Sequence, residues 1–157
     1  MRITTYKCYI NDDHHNYLVK ESSRNYKSLK SMDSPQSVCR VMRDIFNIHQ
    51  LAEEHFYLIC MNNARVPTAF ILLSKGTVAA TLVGIRELFI SALLSSSVFI
   101  MVCHNHPSGN LRPSERDILL TKKIQTAGAL LDISLQDHLI ISEDSYYSFA
   151  EHRLLEE

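Results

Sequence analysis

His104-Asn105-His106-Pro107-Ser108-Gly109-Asn110-Leu111-Arg112-Pro113-Ser114-Glu115-Arg116-Asp117 is the stretch on which the reading of this chain turns. It follows Val98 to Cys103, a continuous apolar run rich in β-formers, the pattern of a central strand covered on both faces. A strand there delivers His104 to its end. Because side chains alternate across a strand, His104 and His106 point to the same side, close enough for their imidazoles to share one cation. Pro107 and Gly109 then force a turn, and a helix starting near Glu115 carries Asp117 in its first turn, where its carboxylate can swing back to the same point. Two imidazoles and one carboxylate leave a fourth tetrahedral position open for water, as in catalytic rather than structural zinc sites.

Each part also has an ordinary reading. A His-x-His pair taken alone is more often incidental than metal-binding. Ser114-x-x-Asp117 taken alone is a capping box, in which the serine and the acid satisfy free amides at a helix start. The joint pattern changes the balance.

Outward from this segment, the apolar periodicity predicts alternating helices and strands. Ser34-Pro35 is a helix start, and Val38, Val41, Met42, Ile45 and Phe46 form one face of an amphipathic helix packed on a sheet. His55 to Met61 reads as a strand, Asn62-Asn63 as a turn and Val66 to Leu73 as the returning strand of a hairpin. Gly76 precedes another strand-like run through Val83, and Ile85, Leu88, Phe89, Ala92 and Leu93 recur at helical spacing up to Ser95-Ser96-Ser97. The helix from Glu115 runs to Ala127, with Leu120, Ile124 and Ala127 facing the core and Gly128 placed to stop it. Ser134 to Ser142 is a further strand, and a short terminal helix closes the chain. This order describes an α/β (α+β) sandwich, a mixed central β-sheet flanked by helices. Residues 1–33 are polar, tyrosine-containing and mildly basic through Lys20, Arg24, Lys27 and Lys30, and read as a hairpin and linker ahead of a domain over residues 34–157.

Composition bounds the function. A chain of 157 residues has the length of one ordinary domain, and its 46% hydrophobic and 21% charged content is that of a folded globular protein. The formal net charge of -1 supplies no broad basic surface to hold a phosphate backbone, which disfavours nucleic acid as a partner. Apolar runs such as Ala69 to Leu73 fall far short of the roughly 20 residues a membrane span needs, so no membrane partner is expected. The N-terminus carries no apolar stretch with a small-residue cleavage site. Cys8, Cys39, Cys60 and Cys103 form no C-x-x-C pair, so the thiols are expected to be buried small hydrophobes in a reducing cytoplasm.

Spelled as His-x-His, seven residues, Ser, two residues, Asp, the segment resembles the motif of the JAMM (MPN+) zinc metalloprotease superfamily. HNHPSGNLRPSERD at 104–117, with GIRELFISAL at 84–93 and DHLIIS at 137–142, is similar to its RadC-like branch, and the resemblance runs from about residue 36 to 150. It implies a JAMM/cytidine-deaminase-like sandwich and one zinc ion per chain held by His104, His106 and Asp117. It also implies that Ser114 hydrogen-bonds the developing oxyanion or the attacking water, and that an upstream glutamate is the general base. In relatives that glutamate sits just before a core strand of the form Glu-x-Phe, which Glu54-His55-Phe56 fits. Glu87, within GIRELF on a helix surface, and Glu53 are its rivals. The implied reaction is hydrolysis of a peptide or isopeptide bond in a peptide or protein substrate, with Glu54 taking a proton from water and returning it to the leaving amine. Ile85 stands where the branch usually has proline, with an effect expected only on a helix start. The helix-hairpin-helix region that precedes the domain in typical RadC proteins is unmatched, which removes the usual argument for DNA contact.

Two other functions compete with the hydrolase. One is a non-catalytic interaction module retaining the fold, disfavoured because all five functional positions are present. The other is a DNA-repair-associated accessory protein, disfavoured by the charge balance. The letters HNH also name a nuclease family, but its three residues are dispersed along a ββα module. Zinc deaminases need His-x-Glu and Pro-Cys-x-x-Cys, and neither occurs here. Of the remaining polar residues, Asn105 is expected to point away from the metal, and His138 reads equally as a support for the site or as a hydrogen-bonded core histidine.

Overall fold

A computed structural model of the chain describes residues 1–76 and 83–155. Its strands are β1 (Arg2–Ile10), β2 (Asn16–Asn25), β3 (Glu54–Met61), β4 (Pro67–Gly76), β5 (Phe99–His104), β6 (Ser134–Ile141) and β7 (Tyr146–Ser148). Its helices are α1 (Pro35–Phe46), α2 (Ile85–Leu94) and α3 (Glu115–Leu130), with a short 3-10 turn at Ile48–Gln50. Among the described residues the strands form one sheet in the order β2-β1-β4-β3-β5-β6-β7. The pairs β1/β4 and β5/β6 are parallel and the others antiparallel, which makes the sheet mixed, as the sequence predicts.

The period of two along the central strands assigns side chains to two cores. Tyr57, Ile59 and Met61 of β3 and Cys103 of β5 pack against Val38, Val41 and Met42 of α1. Phe56, Leu58 and Cys60 of β3, with Ile100 and Val102 of β5, face the other way against Leu88, Phe89 and Ala92 of α2 and Ile124 of α3. With apolar burial on both sides at about 1.5–3 kcal/mol per large side chain, β3 and β5 are the most deeply held elements of the sheet. The same alternation sends His104, two residues beyond Val102, to the α3 side.

Local signals explain the helix ends. Ser34 accepts a hydrogen bond from the Ser37 amide and the Ser37 hydroxyl returns one to the cap backbone, with Pro35 in the first turn. The α3 start is a second such box, built by Ser114 and Asp117. Leu93 and Leu94 of α2 remain exposed, so the α2 stripe that faces the core is Leu88, Phe89 and Ala92.

Three expectations change. Gly128 does not stop α3, which continues to Leu130; the residue in the left-handed region is Asp132, at φ 55°. Gly128 instead permits close contact, because a Cβ there would lie 2.3 Å from the Ile133 carbonyl oxygen. The terminal helix is replaced by β7 and a run of turns, because Asp137 anchors that segment through the Ser148 hydroxyl and the Ala150 amide. Tyr146, Tyr147 and Ser148 then have a free β6 edge to pair with. Among the cysteines, Cys39, Cys60 and Cys103 are buried, while Cys8 is half-exposed; burial pushes the Cys39 thiol up to about 12. The strand expected between Gly76 and Val83 lies outside the described residues. Among the described residues no helix is long and apolar enough to cross a membrane.

Gly128→Ala is expected to destabilise the fold by about 1–3 kcal/mol through this collision, read as a fall in the urea midpoint with unchanged slope. An unaltered midpoint would mean that the α3–β6 connection gives way at no cost.

Candidate metal centre

β5 pairs with β3 so that His104 lies opposite Phe56, and with β6 so that His104 lies beside Ile140. His104 is buried, its ring stacked on that of Phe56 at 5.6 Å between centroids and 16° between planes. Beyond the strand end the chain turns at Gly109, whose φ of +75° suits a residue without a Cβ, and the Gly109 amide donates to the His106 carbonyl at 2.8 Å. That turn brings the Asn110 carbonyl oxygen to 2.6 Å from His106 Nδ1. Since a carbonyl only accepts, Nδ1 carries the proton and the neutral ring presents a bare Nε2.

Asp117 completes the cluster from the first turn of α3. His104 Nε2 is 3.0 Å from His106 Nε2 and 3.3 Å from Asp117 Oδ1, and His106 Nε2 is 3.4 Å from Asp117 Oδ2. Tetrahedral zinc with bonds of about 2.0–2.2 Å separates neighbouring ligand atoms by about 3.3–3.5 Å, near the spacing of each imidazole from its closer Asp117 oxygen, so the donor set is compatible with a divalent ion. Among the described residues it is the one group of three histidine, cysteine or acidic side chains able to hold a metal. Burial raises the carboxyl pKa of Asp117, but hydrogen bonds with His104, His106 and Ser114 outweigh it and hold the group well below the usual carboxylate range. The His106 imidazole is shifted upward, chiefly by its hydrogen bond with Asp117 and against the effect of burial.

The capping box and the candidate metal cluster therefore share Asp117. Ser114 Oγ donates to Asp117 Oδ2 at 2.7 Å, as does the Ser114 amide, also at 2.7 Å, while the Asp117 amide donates back to Ser114 Oγ at 3.1 Å. Helix initiation thus orients the carboxylate toward both imidazoles. An open cleft of about 840 Å³ lies over this point, lined by Glu54, His106, Ser114 and Asp117 among others.

Glu54 opens β3, two residues before Phe56, and so shares the face of the sheet that bears His104. Glu53 lies off the cleft lining, with its carboxylate 3.9 Å from His55 Nε2. Glu87 is exposed at the start of α2, paired with Arg86 at 3.2 Å, and is likewise off the cleft. Of the three glutamates considered from the sequence, only Glu54 lines the cleft over the cluster.

Asn105 points away from the cluster, as expected, and its amide reaches β3. Its Oδ1 accepts from the His55 amide at 2.8 Å, and Nδ2 donates to the carbonyls of Glu53 at 3.0 Å and Leu51 at 3.3 Å. The backbone on both sides of Glu54 is thereby tied to the residue between the two histidines. This tie was illegible in the sequence, because it depends on strand register. Thr121 was also missed: it is buried one turn after Asp117, with its hydroxyl 2.7 Å from His138 Nδ1, and His138 Nε2 is 2.8 Å from His104 Nδ1. The spacing of four from Asp117 was its only sequence signal.

A mixed sheet with a helix-capped His-His-Asp cluster at the end of a central strand defines a JAB/MPN-type domain. A family model described as the RadC-like JAB domain matches residues 32–154, and the chain belongs to that family, within the JAMM superfamily. Among similar proteins, a UPF0758 protein of Flavobacterium johnsoniae is 39% identical over 132 residues, covering 84% of this chain and 57% of the relative. One of Clostridium novyi is 35% identical over 142 residues, covering 87% and 61%. One of Staphylococcus haemolyticus is 33% identical over 129 residues, covering 82% and 56%. The chain thus spans less than two-thirds of the length of these relatives, and the name they share states no activity.

Asn105→Ala is expected to strand the buried His55 amide and to cost about 1–3 kcal/mol of unfolding free energy in a urea titration. A variant as stable as the parent would show that the Leu51 to His55 segment holds its place without Asn105.

Proposed function

We propose that this chain is a zinc-dependent hydrolase that cleaves a peptide or isopeptide bond in a peptide or protein substrate. The observation that carries the reading is the convergence of His104 Nε2, His106 Nε2 and an Asp117 carboxylate on one point, with Glu54 lining the same open cleft. His104, His106 and Asp117 would hold the zinc, which when bound would supply Lewis-acid chemistry that lowers the pKa of water to about 7.

The chain's own residues do the rest. Glu54, at the cleft wall and half-exposed, accepts the proton of the attacking water and returns it to the leaving amine, a role worth about 10²–10⁴ in rate. Ser114 turns its hydroxyl proton from Asp117 toward the oxyanion, and a donor so placed contributes about 3–4 kcal/mol to the barrier reduction. Asn105 keeps the Glu54 backbone in register with the histidines. The cleft is open to solvent, and Leu119 and Leu120 offer apolar contact beside the cations Arg112 and Lys123. The overall charge of -1 supports a protein substrate over a nucleic acid.

The test combines elemental analysis with a peptide-library cleavage screen, with and without chelator. Purified protein is expected to carry about one zinc per chain. His104→Ala and Asp117→Ala lose the metal, whereas Glu54→Ala keeps it and loses at least about 10²-fold in hydrolysis. Cleavage that survives both chelator and Glu54→Ala would refute the proposal, and metal lost from Glu54→Ala alone would move the base elsewhere.

A further inference from the structure

Behind the cluster runs a chain of buried hydrogen bonds that the proposed hydrolysis does not use. Thr121 Oγ1 lies 2.6 Å from the Asp117 carbonyl oxygen and 2.7 Å from His138 Nδ1; His138 Nε2 lies 2.8 Å from His104 Nδ1. His104, Thr121 and His138 are all buried, and no solvent proton can substitute for a missing one. The His138 ring is fixed by Phe149, stacked at 4.5 Å and 13°, and by the edge contact of Phe56 at 5.5 Å. Packing therefore holds the ring plane. Only the placement of protons remains to be set.

That placement follows from one group with a single proton. A hydroxyl has one hydrogen and the Asp117 carbonyl can only accept, so Thr121 spends its hydrogen on that carbonyl. Toward His138 the Thr121 oxygen can then only accept, and His138 Nδ1 must carry a proton. A neutral His138 so protonated has a bare Nε2, which accepts from His104 Nδ1–H. His104 in turn has a bare Nε2, the atom that faces His106 and Asp117 at 3.0 and 3.3 Å.

We infer that Thr121 and His138 are positioning residues that lock His104 in the tautomer with a free Nε2 and thereby prepare it as a metal ligand. The inference rests on the metal reading of the cluster for its purpose, but the proton order it describes belongs to the protein alone. The second imidazole needs no such relay, because His106 is set directly by the Asn110 carbonyl. The chain starts at the backbone of Asp117 and ends at His104, so two of the three ligands are coupled through it: α3 cannot dock without setting the tautomer.

Thr121→Val keeps the shape of the side chain and removes the hydroxyl, and Thr121→Ser restores the hydroxyl. Without the Thr121 acceptor, a buried Nδ1–H on His138 is unpaired, so its proton moves to Nε2 and makes His104 Nδ1 the acceptor. Nitrogen-15 NMR of metal-free protein labelled at histidine reads this directly. Expected are His138 Nδ1–H in the parent and in Thr121→Ser, and Nε2–H in Thr121→Val, while His106, set by the Asn110 carbonyl, keeps its Nδ1–H throughout. Zinc affinity, measured by competition with a chromophoric chelator, is expected to fall about 10–100-fold in Thr121→Val and to return with Thr121→Ser.

A Thr121→Val protein that keeps Nδ1–H on His138 overturns the proton order. A tautomer that switches with no change in zinc affinity overturns the positioning role. A parent that binds no zinc while His138 holds Nδ1–H would sink the hydrolase proposal and leave the proton order standing, so the two failures are distinguishable.

Discussion

Two imidazole nitrogens 3.0 Å apart, each 3.3 to 3.4 Å from one oxygen of the same carboxylate, are the constraint around which this molecule is arranged. Bare imidazole nitrogens and a carboxylate repel unless a positive charge lies between them, and burial weakens the screening that would relieve the repulsion. The protein must hold them together by forces supplied elsewhere. It does so with a strand end, a turn and a helix cap, each stable for its own local reasons. A cation would find the geometry already made, with little ordering left to oppose its binding.

The sheet is the device that makes those local reasons agree. β5 lies between β3 and β6, antiparallel to one and parallel to the other, so a single register decides which residues flank His104. On one side Phe56 stacks on the ring; on the other, His138 meets its Nδ1. Asn105 ties the start of β3 to the same strand end and so fixes the backbone of Glu54. A slip of one residue in either pairing would turn these side chains to the α1 face. Precision at the cluster is thus inherited from the two apolar cores, which specify the register through their alternation.

How much of this was legible depended on whether the information was local. The Ser34-Pro35 start of α1, the apolar run of β5 and the spacing of His104, His106 and Asp117 are written in adjacent residues, and each is found where its pattern put it. Glu54 was singled out among three glutamates by the Glu-x-Phe resemblance, and strand parity puts it on the face of Phe56, where it lines the cleft. Gly128 was misjudged because a glycine near a helix end suggests a cap, whereas its actual partner, the Ile133 carbonyl, comes from the chain's return toward β6. The C-terminal strand was missed for a similar reason: its pairing depends on the buried Asp137 and on the β6 edge, neither of which leaves a periodic trace. Thr121 and Asn105 act across elements, so their roles emerge only once the register is known.

The most direct measurement of the central claim is zinc K-edge X-ray absorption on the protein loaded with one equivalent of metal. The account predicts a first shell of only nitrogen and oxygen at about 2.0–2.1 Å, four-coordinate, with the outer-shell scattering of two imidazole rings. A shell containing sulfur at about 2.3 Å, a single imidazole, or an all-oxygen environment would contradict it.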